Sequence, residues 1–210
     1  MSMQLDKVQP KTKEQLKQLI NYAFKHNIYD LNFIDTSKIT DMYELFPSVA
    51  HNFNVSGWDV SNVTNMAQMF YFCVNFNCDL SCWDVSNVKN MHQMFYECIS
   101  LNADLSNWDV SNVTTTFRMF VGCKKFNSDI SNWDVSNVKN MNNMFYCCKK
   151  FNSDISNWDL SNVTVMDNMF VNFKKFNCDL SDWDISNITR RKNMFVGCDK
   201  MSIPDWYKNI

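Results

Sequence analysis

Glycine and proline are scarce, with 3 of each in 210 residues. Few turns can rest on glycine's freedom at positive φ or proline's fixed φ, so Asn, Asp and Ser side chains must build most of them. Histidine is equally rare: His26, His51 and His92 are the only ones, and none stands in register with a nucleophile. Gly57, Gly122 and Gly197 are too isolated to form a phosphate loop or a dinucleotide turn. No catalytic constellation is visible, so the expectation is a non-enzyme without a cofactor. An excess of one charge is missing too. With 20 basic and 22 acidic residues the net charge is −2, which gives no pull toward nucleic acid. The opening Met-Ser-Met-Gln-Leu-Asp-Lys holds no apolar leader, and no segment is long and apolar enough to span a membrane.

Cysteine is plentiful, but nine is an odd number for a disulfide framework. Cys73, Cys98, Cys123, Cys148 and Cys198 share one repeat position, where Phe173 is the sixth member. A position that accepts Cys or Phe wants a hydrophobe, so these read as reduced core thiols. Cys73, Cys78 and Cys82, with His92 nearby, are not expected to converge on a metal.

What organises the chain is tryptophan. Trp58, Trp83, Trp108, Trp133, Trp158 and Trp183 recur every 25 residues without a slip. A fixed period of this length marks a stack of coils, each burying its apolar face only against its neighbours. In the coil from Phe76 to Ser100, alternation predicts a strand near 82–86 with Trp83 and Val85 inward and Asp84 outward. Met91, Met94, Phe95 and Cys98 follow at i, i+3, i+4 and i+7, which predicts a short helix. Asn62 and Thr64, with their equivalents at 112/114 and 162/164, read as caps of such helices. Residues 12–25 predict an amphipathic helix with Leu16, Leu19, Ile20, Ala23 and Phe24 on one face, and Ile28–Ile34 a first strand. Met201, Ile203 and Trp206 echo the repeat, but Pro204 sits where a regular coil would continue, so both ends read as caps of a complete array.

The block 126–148, Phe-Asn-Ser-Asp-Ile-Ser-Asn-Trp-Asp-Val-Ser-Asn-Val-Lys-Asn-Met-Asn-Asn-Met-Phe-Tyr-Cys-Cys, resembles the repeat of BspA-like leucine-rich-repeat surface proteins and the related repeats of Mycoplasma lipoproteins. The likeness spans about residues 33–200. It implies a leucine-rich-repeat-like fold and a role in adhesion or protein binding, and carries over no catalytic residue. The missing leader and the free cysteines favour the cytoplasm, while the resemblance favours the cell surface.

Two aspartate ladders recur. Asp59, Asp84, Asp109, Asp134, Asp159 and Asp184 should stack about 4.8 Å apart and repel by roughly 0.9 kcal/mol per pair in water. Hydrogen bonds to backbone N–H or to Ser61, Ser86 and their equivalents would offset this; calcium between coils is the sharper alternative. Asp79, Asp104, Asp129, Asp154 and Asp179, each two residues before a serine, read as Asx-turns. Asn62, Asn87, Asn112, Asn137, Asn162 and Asn187 are placed to bond backbone between coils. Asn-Val-Thr at 62, 112 and 162 and Asn-Ile-Thr at 187 match the glycosylation sequon as a by-product of the repeat.

Candidate binding residues follow from what varies or projects. Tyr71, Tyr96 and Tyr146 add aromatics to one face; Lys124, Lys125, Lys149, Lys150, Lys174 and Lys175 form a basic stripe beside it. The pairs 67/68, 92/93, 117/118, 142/143, 167/168 and 192/193 differ coil by coil and read as exposed recognition positions. The expected fold is an α/β solenoid, leucine-rich-repeat-like, with a short parallel strand and a short helix per coil. Its parts are an N-terminal cap at 1–32, a repeat region at 33–200 and a C-terminal cap at 201–210. The expected function is non-enzymatic protein or glycan binding; the alternative is an intracellular scaffold or particle-structural protein.

Overall fold

A computed structural model describes residues 7–208; the first six residues of the expected N-terminal cap and the last two of the C-terminal one lie outside them. Among the described residues there are two helices, α1 (Lys13–Lys25) and α2 (Asp205–Lys208). The described residues form no sheet: pairing is confined to isolated parallel bridges, including a column from Asp41 through Asn65, Asn90, Thr115, Asn140 and Val165 to Arg190. The expectation of a strand and a helix in every coil, and with it the leucine-rich-repeat-like architecture, is therefore corrected. The coils are built of turns.

The reason lies in where each N–H goes. Over the stretch expected to be helical, alternate residues donate out of the coil: Met66 to the carbonyl of Asn90, Gln68 to His92, Phe70 to Met94 and Phe72 to Tyr96. The residues between them close turns within the coil, Met69 to Met66, Tyr71 to Gln68 and Cys73 to Phe70. A helix needs every N–H for its own i−4 carbonyl; here half are spent on the neighbour. Gln68 and Phe72 take φ of 56° and 58°, the sign that a type II turn requires at its third residue. The i, i+3, i+4, i+7 stripe is thus real as a buried face (Met66, Met69, Phe70 and Cys73 are all 0% exposed) but is delivered by successive tight turns. The same four outward bonds, at 2.7–3.2 Å, join every adjacent pair of coils from 42–48 to 191–197.

The stretch expected to be a strand fails for a related reason. Asp79 accepts from the Ser81 N–H and Asp84 from the Ser86 N–H, and turns close from Trp83 to Leu80 and from Val88 to Val85. Asx-turns of this kind divert the donors a ladder would use. Trp83 and Val85 are still buried and Asp84 exposed. Ile28–Ile34 likewise forms no strand, only bridges at Asp30 and Ile34.

Two ring columns run the length of the interior. Phe46, Phe70, Phe95, Phe120, Phe145, Phe170 and Phe195 stack with centroids 5.4–6.3 Å apart and planes within 11° of parallel. Such pairs contribute about 0.5–1.5 kcal/mol each beyond their area. The six repeat tryptophans, Trp58 to Trp183, form the second column, buried to 5% exposure or less. Each indole N–H donates to a carbonyl of the preceding coil, from Trp58 on Leu31 to Trp183 on Ile155, and Trp206 continues the series on Leu180, at 2.8–3.2 Å throughout. α1 lies over the first coil and buries Leu16, Ile20 and Ala23 there. Its N-cap is Thr12, whose hydroxyl accepts from the Gln15 N–H, while the Gln15 side chain reaches back to the Lys11 N–H.

Candidate functional site

Side chains as well as backbone tie the coils together, and this decides which of them remain free. The amide nitrogens of Asn62, Asn87, Asn112, Asn137, Asn162 and Asn187 each donate to a serine carbonyl of the preceding coil at 2.7–3.0 Å. Thr64, Thr114 and Thr164 make similar bonds. These residues are inter-coil ties, not helix caps. At the sequons, the nitrogen a glycan would be joined to is already in use. The thiols of Cys73, Cys98, Cys123, Cys148 and Cys198 donate to a phenylalanine carbonyl one coil back. All nine cysteines are free. Burial pushes the Cys73 thiol up to about 12 and Cys98, Cys123 and Cys148 well above the usual range.

Both aspartate ladders are Asx-turns. For Asp79, Asp104, Asp129, Asp154 and Asp184 the N–H of the serine two residues on, then its hydroxyl, holds the carboxyl below its ordinary value. For Asp109 and Asp179 the hydroxyl leads. Repulsion between coils opposes this more weakly, and acts on Asp79, Asp104 and Asp129 of the second ladder. Among the described residues no three His, Cys, Asp or Glu side chains gather where they could hold a metal.

The lysine stripe is placed by turns with buried flanks. Phe126 closes on Cys123 and Phe151 on Cys148, so Lys124, Lys125, Lys149 and Lys150 sit at turn centres with both ends anchored in the core. All six candidate lysines are exposed. Lys174 pairs with Asp199 at 2.7 Å; the other five have no ion pair among the described residues. Lys150 and Lys175, joined by Lys200, line an open groove of about 630 Å³ with Asn127, Asn152 and Asn177. Its floor is a second asparagine ladder, in which the side-chain oxygen of Asn102, Asn127 and Asn152 accepts the N–H of the next coil's asparagine. Sequence reasoning passed over this ladder; its signal is the asparagine after each core Phe or Leu at 76, 101, 126, 151 and 176.

The aromatic candidates divide. Tyr71 and Tyr96 stack at 5.0 Å, with Phe72 against both. Tyr146 stands apart, two coils further on, with Val121 at the intervening position. Burial, then Tyr71 and Glu97, pushes the Tyr96 hydroxyl upward. The aromatic patch thus belongs to the earlier coils and the basic stripe to the later ones. Part of the variable set is not surface at all. Ala67, Gln93 and Asp167 are buried, Gln68 bonds Gln93, and Asp167 pairs with Arg190 at 2.6 Å. At these positions variation matches one coil to the next.

Fold and surface define a repeat protein: a stack of turn-built coils presenting side-chain ladders on its flanks. Residues 14–121 and 102–206 match the family described as a Mycoplasma protein of unknown function, DUF285. The chain belongs to that family. No curated protein and no solved structure matches it. No helix among the described residues is long and apolar enough to cross a membrane.

Proposed function

We propose that the chain is a non-enzymatic binding protein whose flank, from the Tyr71–Tyr96 pair to the lysine turns, engages a protein or glycan carrying negative charge. The observation that carries this reading is the row Lys124, Lys125, Lys149, Lys150 and Lys175, exposed and without ion partners among the described residues. Anchoring on buried turn ends lowers the entropy lost when such side chains engage a surface. An adhesive role at the cell surface, which the repeat's resemblance in sequence to BspA-like proteins would imply, is the first form of this reading. The nine free cysteines favour a second reading, an intracellular scaffold. Thiol labelling of intact cells separates the two, since only a surface-displayed chain is modified from outside.

The test of the binding face is charge reversal of Lys125, Lys150, Lys175 and Lys200 together. A partner first isolated by affinity capture and mass spectrometry should bind this variant at least roughly tenfold more weakly, and more so at low salt. Unchanged binding by a variant that melts normally would remove the lysine flank from consideration.

A further inference from the structure

The stack ends differently at its two ends. In every coil from 42–48 to 166–172, four N–H groups donate to the next coil. The equivalent donors of the final coil are those of Arg191, Asn193, Phe195 and Gly197, and none has an acceptor among the described residues. Beyond that coil the chain passes through Pro204 into α2, whose Trp206 and Tyr207 pack on Phe195. That covers the ring column and leaves the backbone edge open. Asn193 and Gly197 are exposed, and Arg191 is half-buried.

This edge is also basic. Thr189, Arg190, Arg191, Lys192, Asn193 and Tyr207 line a groove of about 420 Å³. Arg190 is already paired with the buried Asp167, but Lys192 has no ion partner among the described residues. Arg191 reaches the Ile188 carbonyl through one terminal nitrogen, and its Nε is buried without an acceptor. Backbone donors at alternate residues call for the carbonyls of another chain; the uncompensated cations call for carboxylates.

We propose that this terminal edge binds an extended acidic segment of another protein, its carbonyls taking the N–H groups of Arg191 and Asn193 and its carboxylates meeting Arg191 and Lys192. A second copy of the chain fits less well. Its first coil offers the matching carbonyls at Asp41, Tyr43, Leu45 and Pro47. However, α1 lies over that end, with Lys13 on Asp41 at 3.1 Å and over the Tyr43 ring, and the exposed Lys11 before it and Lys25 in its last turn would add positive charge against a surface that is itself positive. Free phosphate would satisfy the cations and leave the row of donors empty.

The experiment is amide hydrogen exchange on the full chain, with an alternating Glu-Val peptide, its Lys-Val counterpart and inorganic phosphate as probes. The acidic peptide should slow exchange at Arg191 and Asn193 by roughly tenfold or more, while the other two do not. Lys192→Glu should weaken that peptide by roughly tenfold, and Lys139→Glu, an exposed lysine elsewhere on the stack, should leave it unchanged. Four results overturn the proposal: no protection at these amides, protection confined to the lysine flank, equal protection by phosphate, or protection that grows with protein concentration alone and so reports self-association.

Discussion

Thr116 stands where the coils on either side place Met66, Met91, Met141 and Met166, a polar atom among thioethers. It is 1% exposed, and its hydroxyl has no partner. A buried hydroxyl without a hydrogen bond costs about 1–3 kcal/mol, and a shorter side chain fills the site less well. Thr116→Met should therefore stabilise the chain by about 1–2 kcal/mol, read as a higher midpoint in urea; a lower midpoint would mean that its neighbours have closed over the shorter side chain. The cysteines make a second prediction at this scale. In the native protein a thiol reagent should modify the exposed Cys82 first, whereas Cys98, Cys123 and Cys148 react only on unfolding. Peptide mass spectrometry after timed labelling checks the order. That these thiols lie in the core is legible from the exchange of Cys for Phe173. That each also donates to a carbonyl is not, because the acceptor is 27 or 28 residues away.

At the scale of the turn, aspartates hold the chain by accepting the N–H of the serine two residues on. Asp79, Asp104, Asp129, Asp154 and Asp179 of one ladder, with Asp109 and Asp184 of the other, have folded pKa values held below their ordinary 3.8. A depressed carboxylate contributes stability above its unfolded pKa and loses it as pH falls through the folded one. The melting temperature should thus be level above about pH 5 and decline progressively below 3.8, many small contributions adding across the coils. A melting temperature still level at about pH 2.5 would show that these turns do not depend on charge. Asp129→Ala should cost about 1 kcal/mol, and Asp129→Asn less, since an amide oxygen can still accept from the Ser131 N–H. The turn chemistry of the second ladder is readable from Asp-x-Ser. The first ladder has the same spacing, Asp84 to Ser86, yet alternation around Trp83 points to a strand. Both elements share one inward-outward pattern, and only the destination of the serine N–H tells them apart.

For the whole molecule, stability rests on interfaces between coils, since no coil can hide its own Phe and Trp. Trp133→Ala removes a ring that is 3% exposed and a donor to the Leu105 carbonyl, so about 3–5 kcal/mol should be lost. The same change at Trp206, whose ring lies at the stack's end and is only half-buried, should cost clearly less. Chemical denaturation of the two variants side by side gives the comparison; equal losses would mean that the end coil is as fully supported as the middle.

By itself the sequence determined the repeat, its period and the buried columns. Those follow from which side chains water rejects and from a register that never slips. Only the tertiary structure decided that the coils are turns, that Tyr146 stands apart from the Tyr71–Tyr96 pair, and that Asp167 is buried beneath Arg190. These depend on hydrogen bonds to partners about 25 residues away. A periodic pattern shows that a face is buried, and it carries no record of which neighbour receives each N–H.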